Sequence, residues 1–85
     1  MKNGELYKTP GDQERLVIGK VPNGDVAFAT RGGNTGLDYN NCQIQPPAKF
    51  NSEASFLYVV SDAEVARVED KFANYILANH ITAWP

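Results

Sequence analysis

The sequence predicts an α+β fold: a small antiparallel sheet of about four or five strands, with one long C-terminal helix packed on one face. Three observations carry that prediction. Residues 1–60 break into short apolar runs separated by turns that contain glycine or proline. Residues 61–79 instead open with a helix cap and then repeat apolar side chains at helical spacing. No repeat, linker or low-complexity tract divides the 85 residues, so 1–85 reads as a single domain.

Taken in order, "ELYK" (5–8) is a short strand cut off by Pro10 and Gly11. "RLVIGKV" (15–21) and "DVAFATR" (25–31) flank Pro22-Asn23-Gly24, the clearest hairpin signal in the chain. Proline fixes φ at the first central position, and Gly24 can take positive φ without steric cost. Alternation within the second of these strands sends Val26, Phe28 and Thr30 one way and Ala27, Ala29 and Arg31 the other. The small side chains of the second face leave room for a packed helix. "NCQIQ" (41–45) alternates with Cys42 and Ile44 inward, and Pro46-Pro47 ends it. "AKFNSEA" reads as a loop anchored by Phe50. "SFLYVV" (55–60) is apolar on both faces, which predicts a central strand.

The helix starts at a capping box. Ser61 can accept from an orphan amide while Glu64 reaches back to another, and acidic residues in the first turn with His80 at the end suit the helix dipole. It is predicted from residue 62 to about 79, with "ITAWP" as a tail. On a helical wheel Tyr75, Val68, Phe72, Val65, Ile76, Ala73, Ala66 and Leu77 follow one another around an arc of roughly 200°, where a surface helix needs little more than about 100°. One sheet covers one side of a helix, so part of this arc meets something else: the tail with Ile81 and Trp84, the Phe50 loop, or a second chain. Val68, Phe72, Tyr75 and Trp84 are the candidate partner-binding residues, since large aromatic anchors often centre interface energy. Glu69 falls inside the arc and is expected to reach solvent or a strand lysine.

Charge narrows the function classes. The formal net charge is −2, and Arg67 and Lys71 against Asp62, Glu64, Glu69 and Asp70 place all of it in the last 25 residues. That removes the usual electrostatic driver for nucleic acid, and the strand aromatics read as core. The opening "MKNGELYK" lacks the apolar stretch of a secretion signal, and the longest apolar run is the five residues from Phe56 to Val60. With a single cysteine, Cys42, a cytoplasmic protein away from membranes is expected.

The most unusual stretch is "ATRGGNTGLDYNNC" (29–42). A Walker loop needs lysine and a hydroxyl directly after its last glycine, where Leu37 and Asp38 stand. A dinucleotide fingerprint needs glycines that open a helix. Gly33-Asn34-Thr35-Gly36 resembles the GXXG loop of KH domains over four residues, but that loop joins two helices. What survives is a small anion or nucleotide nest built from Arg31, Gly32, Gly33, Asn34, Thr35 and Tyr39, weighed against a plain connection. One cysteine and one histidine do not make a structural zinc set, and no nucleophile–base pair or paired carboxylate stands out. No metal, cofactor or catalytic residue is therefore expected.

The function expected is a non-catalytic binding protein that occupies a macromolecular partner. It would be an inhibitor or adaptor of the kind phages and mobile elements encode, its acidic helix meeting a basic surface on a protein partner. Homo-oligomer formation is a second expectation. The alternative is a small-ligand or nucleotide binder using the Arg31 glycine-rich loop at an oligomer interface.

Overall fold

Pro22, Asn23 and Gly24 reverse the chain as their chemistry requires: Gly24 takes φ 91°, its amide donates to the Val21 carbonyl at 2.9 Å, and the Val21 amide donates to Asp25 at 3.1 Å. In the computed structural model, which describes residues 1–85, this turn joins β2 (Gln13–Lys20) to β3 (Val26–Gly32). Before them lies β1 (Glu5–Lys8); after them come β4 (Asn41–Gln45), α1 (Pro47–Glu53), β5 (Ser55–Val59), α2 (Asp62–Lys71) and α3 (Ala73–Ala78). The five strands form one sheet in the order β4-β3-β2-β1-β5, antiparallel throughout.

Apart from its β5 edge, the sheet is covered on both faces. Ala27 and Ala29 share a buried cluster with Leu6, Leu16, Ile18 and Val68, so the small-residue face does receive the C-terminal helices. Cys42 and Ile44 pack against the same cluster, as their alternation predicts. Val17, Val26 and Phe28 point to the opposite face and are closed by Phe50, which meets Phe28 and Tyr7 edge to face at 5.0 and 4.8 Å. Phe50 belongs to α1, where the sequence suggested only a loop. Pro47 sits in its first turn, a position whose missing N–H costs nothing.

The single long helix is two short ones. Ser61 caps α2 by accepting from the Glu64 amide at 3.2 Å, but the Glu64 carboxylate turns to Arg67 at 2.6 Å, so only half of the expected box forms. At Phe72 the backbone leaves helical angles (φ −110°, ψ 27°) and the ring packs on the sheet cluster. No glycine or proline forces this break; the Phe72 amide still donates to the Val68 carbonyl at 3.1 Å and the Ile76 amide to the Phe72 carbonyl at 3.0 Å, and Tyr75 and Ile76 of α3 pack against the same cluster. α3 ends in a Schellman motif: His80 takes φ 54°, its amide donates to Leu77, and the Ile81 amide donates to Ile76 at 3.0 Å.

The tail folds back on the sheet. Lys20 and Thr82 exchange backbone hydrogen bonds at 2.8 and 2.9 Å, Ile81 enters the helix-side cluster, and the Trp84 indole donates to the Gly19 carbonyl at 2.7 Å. Gly19 is what allows this approach, because a Cβ there would lie 2.5 Å from the Thr82 carbonyl oxygen. The strand 55–59 is corrected in position: β5 lies at the edge of the sheet and every residue in it is exposed.

Candidate functional site

The glycine loop divides its predicted residues between two faces. Gly32, Gly33, Asn34 and Thr35 line an open polar groove of about 610 Å³, with Arg15 and Glu53 opposite them. The loop's amides are largely spent within the chain. Gly32 donates to Gly36 at 2.7 Å, Gly33 to Asp12 at 3.1 Å and Thr35 to Gly32 at 3.0 Å. Arg15, the one cation lining the groove, pairs with Glu53 at 3.0 Å and also donates to Gln13 and Gln45. The groove therefore offers a phosphate few free donors.

Arg31 and Tyr39 lie on the helix face instead. Arg31 pairs with Glu14 at 2.7 Å and its guanidinium sits 4.5 Å from the centre of the Tyr39 ring. Tyr39 is fully buried in the helix-side cluster; burial pushes its hydroxyl pKa up to about 12, and that hydroxyl has no hydrogen-bond partner.

The neighbouring Asp38 fixes the same loop to α2 and sets the helix's charge pattern. Arg67 grips its two oxygens at 2.8 and 3.1 Å, and Lys71 approaches one of them at 3.4 Å while also donating to the Tyr39 carbonyl. The Arg67 hydrogen bond, with one from the Tyr39 backbone, holds the Asp38 carboxyl well below the usual carboxylate range. Both cations of α2 are thereby committed, whereas Asp62, Glu69 and Asp70 form no ion pair.

The apolar arc of the C-terminal helices splits along its length. Val68 is buried, and Val65, Phe72, Tyr75 and Ile76 are half-buried. Ala66, Ala73 and Leu77, the other end of the arc, remain exposed, Leu77 at 77%. With Ile76 and Ile81 they line an open groove of about 640 Å³, whose lining also includes Glu69 and Asp70.

Three of the four predicted partner residues, Val68, Phe72 and Tyr75, thus build the chain's own core. Trp84 is half-buried, held through its indole and by its amide donating to Asn3 at 2.9 Å. The exposed flank was within the same sequence arc, but only the sheet's position decides which end of an arc is covered.

No group of three or more His, Cys, Asp or Glu side chains converges as a metal site would need. No helix is long and apolar enough to cross a membrane. Comparison with family models, curated proteins and solved structures finds no match.

Proposed function

We propose that this chain is a small non-catalytic binding protein that acts by occupying a macromolecular partner, as an inhibitor or adaptor, through the groove on α2 and α3. The observation that carries this reading is the uncovered end of the apolar arc. Ala66, Ala73 and Leu77 lie outside the core, next to Glu69 and Asp70, which have no cation of their own. An apolar floor with an acidic rim suits a basic, amphipathic protein segment: apolar contact supplies affinity, and the carboxylates steer encounter and select against acidic competitors.

The test is capture from the native host by the immobilised chain, read by mass spectrometry, with Leu77→Lys in parallel. A protein retained by the wild type and lost with Leu77→Lys is the expected result. Its affinity should fall at least about tenfold, the equivalent of about 1.4 kcal/mol. Equal retention by the two chains would overturn the assignment of the groove.

A further inference from the structure

We propose that β5 is a self-association edge, joining two copies of this chain antiparallel about a two-fold axis so that two five-strand sheets run on as one. The inference rests on a surface separate from the helix groove. β5 ends the sheet, hydrogen-bonds to β1 on one side only, and leaves its other side free of any strand. A free edge presents a row of backbone donors and acceptors ready to pair with another strand.

The side chains on that edge are apolar on both faces. Phe56, Leu57, Tyr58 and Val59 are 52, 41, 54 and 47% exposed. Phe56 stands on the α1 face, 5.7 Å from the Tyr7 ring, and Tyr58 lies opposite Leu6 on the helix face. The register shift between them leaves Leu57 with no partner on β1. A bulge of this kind is one way to blunt an edge, but the stronger devices are missing: residues 55–60 contain no charge and no proline.

A second copy fits this edge better than another occupant for two reasons. The first is charge: an uncharged strand is matched by an equally uncharged one, and antiparallel pairing of the segment with itself brings no like charges together. The second is closure. The chain's other free edge is β4, whose Asn41, Gln43 and Gln45 alternate with Cys42 and Ile44. Pairing β5 with β4 would set amides against aromatics in a heterologous contact that builds a ring or an open filament, whereas β5 on β5 closes at two copies.

Sedimentation equilibrium over a wide concentration range, combined with amide hydrogen exchange, tests the proposal. The wild type should approach twice the 9.3 kDa chain mass, and amides of 55–59 should gain protection as concentration rises. Leu57→Lys should sediment as a monomer with an unchanged circular-dichroism spectrum, while Leu77→Lys, which alters only the helix groove, should still dimerise. That contrast separates failure of this proposal from failure of the groove. A wild type that stays monomeric overturns the proposal, as does a dimer that protects other segments and leaves 55–59 exchanging freely. If Leu57→Lys does not fold, the wild-type mass and exchange pattern decide between the same two outcomes.

Discussion

Tyr39 shows how a single side chain can hold a fold together while leaving a polar atom unsatisfied. Its ring fills the helix-side cluster and lies under the Arg31 guanidinium, yet its hydroxyl is buried without a partner. An unmade buried hydrogen bond costs about 1–3 kcal/mol, so removing the oxygen removes a penalty. Tyr39→Phe is expected to leave the free energy of urea unfolding unchanged or raise it by about 1 kcal/mol. A clear loss of stability would mean that the hydroxyl does find a partner. The burial of Tyr39 was not legible in the sequence, because "LDYNN" has no period and its neighbours are polar. Ala27 and Ala29 were legible, because alternation in a strand assigns faces without knowledge of the rest of the fold.

At the scale of elements, what could be read was what is local. The β2–β3 hairpin follows from Pro22-Asn23-Gly24, and the start of α2 follows from Ser61. α1 was hidden because seven residues give no helical period to detect, and the break at Phe72 because no glycine or proline marks it. The edge position of β5 depends on strand order, which is a non-local property; a strand apolar on both faces resembles a central one whether or not neighbours flank it. Attachment of the tail to β2 depends on one glycine. Gly19→Ala would drive its Cβ into Ile81 and the Thr82 carbonyl, both at 2.5 Å, at a φ of 151° that side chains rarely adopt. The expected cost is about 2–3 kcal/mol, seen in chemical denaturation together with red-shifted Trp84 fluorescence as the indole loses Gly19. Unchanged stability and emission would show that the tail is not held there.

Across the whole molecule, surface ion pairs tie segments distant in sequence. Asp38 joins the glycine loop to α2, and Glu53 joins α1 to Arg15 of β2. Hydrogen bonds from Arg67 lower the pKa values of Asp38 and Glu64, and one from Arg15 lowers that of Glu53. For a carboxylate whose folded pKa is depressed, stability is present above its unfolded pKa and is lost as pH falls through the folded one. The melting temperature should therefore hold level near neutrality and decline through and below the ordinary carboxylate range, with a shallower decline for Asp38→Asn. All three groups are at the surface, so salt should weaken the effect. A melting temperature flat into acid would contradict the pairing.

The same distribution of charge underlies the central claim, since committing Arg67 and Lys71 to Asp38 is what leaves the acidic residues beside the groove unneutralised. The most direct measurement is a titration of the captured partner against the wild type, Leu77→Lys and the double variant Glu69→Gln/Asp70→Asn, at low and high salt. The account predicts that Leu77→Lys weakens binding at both salt concentrations, and that the double variant weakens it chiefly at low salt and removes most of the salt dependence. Affinities that are equal for all three chains and unaffected by salt would contradict it.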